Sequence, residues 1–309
     1  MTEPGTPAID PALEAAYNCR AAVPDHPAIF ARWAEHSAAV RTEAGESLRR
    51  DLRYGDGSRR TLDLFGGALG MLPRPLLIFL HGGYWQSMDK SSFSFLAPRL
   101  IEAGAAVAVV NYPLCPEASL PVIVAAVREA VQMLWHEATP LGLDRRRFIV
   151  AGHSAGGHLV AELMCTRWPD VDAAMPVDAV KGGVALSGLF DLRPLVRTSI
   201  NEKLGLDGPA AERNSPLFRD PVPGGSLTLA VGELEHEAFH GQAARLAQRW
   251  AALGVNETWL TLPGRHHFSV VDALADPYAE LFHDTLGRLG LGQRRTTRDL
   301  TDSRAAPKV

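Results

Sequence analysis

The chain has 309 residues, 46% hydrophobic and 21% charged, a composition that predicts one large α/β domain with ample core. The net charge of -4 gives no electrostatic basis for binding nucleic acid, and no apolar run approaches the roughly 20 residues of a membrane span. Three dispersed cysteines disfavour a disulfide framework, and the N-terminus lacks the basic and apolar regions of a secretion signal, so we expect a cytoplasmic protein.

Residues 1–50 are predicted to form a helical segment that packs on the core or partly covers the functional site. Its two amphipathic stretches, 13–17 and 29–41, are separated by Pro24 and Pro27. The pattern then changes to strands, beginning with a hairpin around Asp56-Gly57.

Residues 51–290 alternate between buried strands and helices, which predicts a mostly parallel sheet covered by helices on both faces. The predicted strands after the hairpin are 75–80, 105–112, 148–151, 180–186, 227–231 and 258–262. Residues 191–224 interrupt the alternation with several prolines and are predicted to form a small cap insertion. A last helix is expected over 270–289, and the basic tail 291–309 is predicted to be disordered.

The most informative motif is Gly152-His153-Ser154-Ala155-Gly156, between an apolar strand and a helix. A serine on such a sharp turn needs glycines beside it, because neighbouring side chains would collide. The turn exposes the hydroxyl and directs the first amides of the helix at whatever it attacks. This strand-turn-helix context predicts the nucleophile elbow of an α/β-hydrolase, with Ser154 as the nucleophile.

Donors for an oxyanion are expected from two places in this fold: the amide after the nucleophile and a loop that follows an earlier strand. Here these donors would be Ala155 and the pair Gly82-Gly83 after the strand 75–80. Glycines allow the backbone to approach the developing charge closely.

The acid and the base should follow the serine in chain order. Glu235 and Glu233 both follow the strand 227–231, and we favour Glu235 because the turn places it beyond the strand tip. Asp191 is a rival acid. For the base, the loop after the last strand offers His266 and His267, and we favour His267 because Phe268 would anchor it against the core.

A competing motif is His236-Glu237-Ala238-Phe239-His240, which matches the zincin pattern of two histidines on one helix face. It begins at a strand-helix turn, where its first histidine need not be helical, and no convincing third ligand follows. The serine interpretation requires no metal and no cofactor.

Several segments resemble the kynurenine formamidase (arylformamidase) family of α/β-hydrolases, from about residue 15 to 290. The most specific is His81-Gly82-Gly83-Tyr84-Trp85, where other esterases have a third glycine. The remaining similar segments are Tyr17-Asn18-Cys19-Arg20, 89–95, 152–158, 187–192 and His267-Phe268.

The resemblance implies a triad of Ser154, Glu235 and His267, although the family's acid is often Asp, and hydrolysis of N-formylkynurenine to kynurenine and formate. A small aromatic amide or ester is the expected partner, with no nucleic acid or membrane partner, and a homodimer is compatible with the sequence. Tyr84 and Trp85 are expected to crowd the acyl site, and Trp85, Phe190 and Phe239 to wall the leaving-group site.

Three other functions remain open at this stage: a general aryl esterase or arylamidase, the zinc hydrolase, and a binding protein that keeps the hydrolase fold without catalysis. The charged end of an amino-acid substrate has only weak candidate partners within the insertion: Arg193, Arg197 and Asn201.

Overall fold

The computed structural model describes residues 8–67 and 72–292. Its eight strands are β1 (Leu48–Arg53), β2 (Thr61–Phe65), β3 (Arg74–Leu80), β4 (Ala106–Val110), β5 (Leu143–His153), β6 (Gly182–Leu186), β7 (Ser226–Gly232) and β8 (Asn256–Leu262). They form one sheet in the order β1-β2-β4-β3-β5-β6-β7-β8. The pairs β1–β2 and β2–β4 are antiparallel and every later pair is parallel, which confirms the predicted sheet.

The described helices are α1 (Pro11–Tyr17), α2 (Cys19–Ala22), α3 (His26–Glu43), α4 (Ala97–Glu102), α5 (Leu120–His136), α6 (Ala155–Met164), α7 (Trp168–Val171), α8 (Asn201–Leu204), α9 (Gly208–Arg213), α10 (Glu237–Ala251) and α11 (Glu280–Arg288). Short 3-10 helices span Gly45–Ser47, Lys90–Leu96, Arg193–Arg197, Pro216–Phe218 and Val271–Leu274. None of these described helices combines the length and apolar character that crossing a membrane would require.

The central strands are buried because helices cover both faces of the sheet. Every residue of β4 and β6 is buried, as the continuous apolar runs predict. Parallel pairing places Leu80 of β3 opposite Gly152 of β5, and Gly232 of β7 opposite Leu262 of β8. The loops that carry the predicted site residues therefore emerge along one edge of the sheet.

Helix α6 packs closely against the sheet because it begins with small residues. A Cβ at Gly156 would lie 2.0 Å from the carbonyl oxygen of Leu80, so only glycine fits this position. The close approach sets the helix start next to the loop after β3.

The expected single helix over 270–289 is instead divided in two. A 3-10 turn covers Val271–Leu274, and α11 begins at Glu280. Pro277 lies between them and disfavours helical backbone at the preceding residue, while the Asp276 carboxylate accepts a hydrogen bond from the Tyr278 amide at 3.0 Å. The predicted disordered tail lies outside the described residues from 293 onwards.

The N-terminal segment and residues 191–224 meet over the carboxyl edge of the sheet. The insertion contains short helices only, and the amide of Asp10 donates to the carbonyl of Arg197 at 2.8 Å. Helix α3 packs on the 3-10 helix Lys90–Leu96. Residues of both segments line the space above Ser154.

Candidate active site

Ser154 lies at the tip of the sharp turn between β5 and α6. Its φ of 55° and ψ of -114° are strained for a residue with a side chain, at a cost of about 1–3 kcal/mol. The surrounding hydrogen bonds support this conformation, since the Ser154 amide donates to the carbonyl of Leu186 at 2.8 Å. The turn holds the hydroxyl at the start of α6, where the positive end of the helix dipole lies.

The His267 imidazole lies between Ser154 and Glu235. Its Nε2 is 3.1 Å from Ser154 Oγ, and its Nδ1 is 2.7 Å from Glu235 Oε2. All three side chains are buried. The three groups thus form a continuous hydrogen-bonded chain that can move a proton away from the serine oxygen.

Glu235 is held in place by two donors at the ends of β6 and β7. Its Oε1 accepts hydrogen bonds from Ser187 Oγ at 2.5 Å and from the Gly232 amide at 2.7 Å. Its rivals are engaged elsewhere: Glu233 accepts from the Gly264 amide, and Asp191 forms an ion pair with Arg193. The structure therefore brings Glu235, and neither rival, to His267.

The electrostatic surroundings make His267 a stronger base than an ordinary histidine. Burial lowers the pKa of His267, but the neighbouring Cys19 sulfur and the Glu235 carboxylate outweigh burial and raise the pKa above the ordinary histidine value. The adjacent His153 behaves in the opposite way, since burial and the nearby His267 lower its pKa well below 6.5. Neutral His153 can donate from Nε2 to the carbonyl oxygen of His267 at 2.6 Å and so orient the loop.

The backbone amides of Gly82, Gly83 and Ala155 are free to act as donors. Among the described residues, none of the hydrogen bonds uses these three amides. Gly82 also touches the Ser154 turn, because a Cβ there would lie 2.9 Å from His153 Nδ1 and 3.2 Å from Ser154 Cβ. Their placement fits an oxyanion site beside the serine oxygen.

A cavity of about 270 Å³, the front cavity, opens above Ser154. Ser154, His267, Gly82, Gly83 and Tyr84 all line it. Tyr84, whose hydroxyl donates to the carbonyl of Tyr17, joins the loop after β3 to the N-terminal segment. Aromatic rings cover part of the wall, and they come from Phe30, Trp33, Phe93 and Phe268.

Two of the aromatic residues expected at the substrate lie elsewhere, which corrects the prediction. Trp85 and Phe190 are fully buried, and neither lines the front cavity in the described part of the chain. Trp85 turns into the core and packs edge-on against His158, with ring centroids 5.0 Å apart. Phe190 fills the space above Gly188, where a Cβ would lie 2.4 Å from its ring.

Phe239 lies on the other side of His267, with ring centroids 4.5 Å apart. It lines a second cavity of about 260 Å³, the rear cavity, which also includes Glu235, His236 and His266. Cys19 and His267 line both cavities and separate them. Phe239 therefore supports the imidazole from behind and does not face the front cavity.

The zincin interpretation requires two histidines within one helix, and the structure does not meet this requirement. His236 precedes α10 as its N-cap, with φ -60° and ψ 144°, and its Nδ1 accepts from the Ala238 amide. Within the described residues, no group of three or more His, Cys, Asp or Glu side chains could hold a metal ion.

The insertion residues suggested as partners for a charged substrate group are already engaged. Arg193 pairs with Asp191, and Arg197 pairs with Asp10. The Asn201 amide is buried and bonds to the backbone of Val196 and Leu206. None of the three lines the front cavity described here.

The sequence predicted that residues 1–50 pack on the core or partly cover the site, but it assigned no site role to a residue of helices α2 and α3. Cys19 and Arg20 of α2 and Phe30 and Trp33 of α3 line the front cavity. The signals in the sequence were the family-like segment Tyr17-Asn18-Cys19-Arg20 and the i, i+3 spacing of Phe30 and Trp33 on one helix face, which also fits ordinary core packing.

Comparison with known proteins places this architecture in a family. The BD-FAE family model matches residues 62–181. A kynurenine formamidase of Danio rerio is 30% identical over 251 residues, which cover 78% of this chain and 83% of the fish protein. A kynurenine formamidase of Drosophila melanogaster is 30% identical over 256 residues, covering 78% of this chain and 84% of the fly protein.

A solved structure from Silicibacter sp. TM1040, a protein provisionally named as a thioesterase, is 36% identical. It superimposes with a TM-score of 0.76 over 87% of this chain and 97% of its own. The protein is therefore a hydrolase, and the chain belongs to the kynurenine formamidase family of α/β-hydrolases.

Proposed function

We propose that this hydrolase cleaves an aryl formamide of the N-formylkynurenine type, with Ser154 as nucleophile, His267 as general base and Glu235 as the carboxylate that orients the base. The observation that carries the proposal is the chain from Ser154 Oγ through His267 to Glu235 at 3.1 and 2.7 Å. The names of the fish and fly relatives support the formamide substrate.

In the first half-reaction, Ser154 Oγ attacks the formyl carbonyl carbon while His267 Nε2 takes the hydroxyl proton. The oxyanion accepts hydrogen bonds from the amides of Gly82, Gly83 and Ala155. His267 then gives the proton to the aniline nitrogen, the C–N bond breaks, and the formyl group remains on Ser154 as an ester.

In the second half-reaction, His267 deprotonates a water molecule, which attacks the formyl ester. The tetrahedral intermediate collapses to formate, and His267 returns the proton to Ser154 Oγ. Glu235 stabilises the imidazolium during both halves without taking the proton itself. The small front cavity of about 270 Å³ suits a short acyl group next to one aromatic ring.

The test compares kcat/KM for N-formylkynurenine, an aryl acetate and an acetanilide under the same conditions. We expect the formamide to be hydrolysed far faster than the acetanilide, and the aryl acetate to be accepted as well because phenolate leaves more readily than aniline. A formamide that is turned over orders of magnitude more slowly than the aryl acetate would indicate a general aryl esterase and would overturn the proposed substrate.

A further inference from the structure

We infer that Arg20 and Lys203 select substrates whose leaving group carries a carboxylate. This inference rests on the proposed function and identifies the charge of the substrate and the residues that recognise it. Both side chains line the front cavity together with Ser154. They come from different segments, Arg20 from α2 in the N-terminal region and Lys203 from α8 in the insertion 191–224.

The permanent charges on the described residues that line the front cavity are all positive. Among the described residues that line the front cavity, Arg20 and Lys203 carry the permanent charges, and no aspartate or glutamate is present. The whole chain has a net charge of -4, so the positive lining is a local feature and does not reflect the overall composition. A cleft lined by one sign of charge attracts ligands of the opposite sign.

Both cations remain available to a ligand. Neither forms an ion pair with any residue in the described part of the chain, whereas Arg193 and Arg197 of the same insertion are paired. Within residues 8–67 and 72–292, the Arg20 side chain donates one hydrogen bond, from Nη2 to Ser87 Oγ at 3.2 Å, and this bond directs its guanidinium toward the loop after β3.

The carboxylate of Glu14, which bonds to two residues of the cavity wall, already has hydrogen-bond partners on both oxygens. Glu14 Oε1 accepts from Asn18 Nδ2 and Ser199 Oγ, and its Oε2 accepts from the Ser199 amide. Glu14 therefore fixes Asn18 and Ser199, two polar residues of the cavity wall, and does not neutralise Arg20 or Lys203. A guanidinium and an ammonium that line the same cavity are suited to a carboxylate.

The aromatic wall determines where this carboxylate lies in the substrate. Phe30, Trp33, Phe93 and Phe268 surround the space for an aromatic ring, and Arg20 and Lys203 are exposed at the solvent side. The formyl carbonyl must reach Ser154, so the charged group belongs on the distal end of the aryl leaving group and not on the acyl group.

The test uses two pairs of substrates, one pair of aryl acetates and one pair of formanilides. In each pair, one compound carries a propionate chain on the ring and the other carries the uncharged propionamide chain. The readout is the ratio of kcat/KM for the carboxylate over the carboxamide. We expect a ratio of roughly 10 or more in the unmodified protein, because hydrogen bonds to charged groups are among the stronger ones. The ratio should fall as NaCl is added, since salt screens exposed charges.

In the double variant Arg20→Gln/Lys203→Gln, the ratio should fall close to 1, mainly through KM. Arg53→Gln is the matched control, because Arg53 is an exposed arginine on edge strand β1 and does not line the front cavity, so its ratio should stay at the unmodified value. Charge reversal, Arg20→Glu/Lys203→Glu, should bring the ratio below 1.

A ratio near 1 in the unmodified protein, or a double variant with an unchanged ratio, would overturn the inference. The acetate pair and the formanilide pair distinguish failure of this inference from failure of the proposed function. Charge selection among the acetates without hydrolysis of the formanilides would contradict formamide cleavage only. Formanilide hydrolysis without charge selection would contradict only the role of Arg20 and Lys203.

Discussion

At the residue scale, three elements far apart in the chain place their side chains within hydrogen-bond reach of one imidazole. Ser154 comes from the β5–α6 turn, Glu235 from the loop after β7 and His267 from the loop after β8. Glu235 Oε1 is held by Ser187 and Gly232, which leaves Oε2 for His267 Nδ1. This arrangement fixes the tautomer in which Nε2 can accept the serine proton.

Replacing Glu235 by Gln should lower kcat by about 10²–10⁴, because an amide at this position no longer stabilises the imidazolium and can favour the wrong tautomer. Steady-state kinetics on an aryl acetate measure the effect. The control is Glu233→Gln, which alters an exposed glutamate of the same loop whose carboxylate accepts a hydrogen bond from the Gly264 amide. Equal kinetics in the two variants would contradict the role of Glu235.

Activity should rise with pH, because Ser154 is activated only when His267 is neutral and its pKa is raised above the ordinary value. Glu235→Gln removes one negative charge that favours the imidazolium, so the pKa of His267 should fall. The ascending limb of kcat/KM against pH should therefore move to lower pH in this variant. A limb that stays in place or moves to higher pH would rule out this electrostatic account.

At the scale of elements, the site is completed by two segments that lie over the sheet edge. Helix α1 and the insertion 191–224 are joined through Glu14, which accepts hydrogen bonds from the Ser199 amide and hydroxyl at 2.8 and 2.7 Å. Burial raises the pKa of Glu14, but the bonds from Ser199 and Asn18 outweigh it, and the pKa is lowered overall. The carboxylate therefore connects the two segments at neutral pH, and the connection weakens as pH falls through this lowered pKa.

Glu14→Gln should raise KM several-fold and change kcat less, because it loosens the wall of the front cavity without touching Ser154 or His267. Steady-state kinetics with an aryl acetate at pH 7 measure both constants. Glu202→Gln, an exposed change on neighbouring α8, serves as the control and should leave both constants unchanged. A Glu14 variant with the KM of the unmodified protein would show that this contact does not shape the cavity.

Elements with strong periodicity or distinctive turn chemistry were predictable from the sequence. The strands, the Ser154 turn and the glycine loop after β3 each follow from local patterns that the fold reinforces. The orientation of the Trp85 and Phe190 side chains toward the core was not predictable, because residues with positive φ angles precede both positions. Tyr84, Trp85 and Ser187 have φ of 50°, 57° and 49°, which redirect the chain in a way that residue type does not reveal.

At the scale of the whole molecule, an ionic cluster centred on buried Lys90 and Asp63 links the N-terminal segment to the sheet. Lys90 Nζ lies 2.6 Å from the buried Asp63 carboxylate of β2 and 2.7 Å from that of Asp51, and Arg41 of α3 also pairs with Asp63. Lys90 begins the segment against which α3 packs. The cluster therefore secures the helices that cover the front cavity.

Lys90→Met should destabilise the fold by about 3 kcal/mol, because it leaves the buried Asp63 with less compensating charge. The free energy of unfolding in urea measures this loss. Arg99→Met is the control, since Arg99 forms an exposed pair with Glu102 and should cost less than about 1 kcal/mol. Equal losses in both variants would contradict a stabilising role for the ionic cluster.

The assembly of the front cavity is a property of the whole chain and was the least predictable part. Its walls combine residues of α2, α3, the loop after β3 and the insertion, and these become neighbours only through tertiary packing. The proximity of Ser154, Glu235 and His267 was predictable because the fold constrains the order in which such residues occur along the chain. The lining residues Arg20, Phe30 and Lys203 follow no local rule that separates them from an ordinary surface or core position.

The most direct test of the central claim is to label the protein with an aryl phosphonate, a serine-directed reagent, and to map the adduct by mass spectrometry. The account predicts one adduct on Ser154, formed in parallel with loss of hydrolysis. It also predicts that Ser154→Ala neither forms the adduct nor hydrolyses an aryl acetate above about 10⁻³ of the unmodified rate. An adduct on another residue, or a Ser154→Ala variant that keeps its activity, would contradict the account.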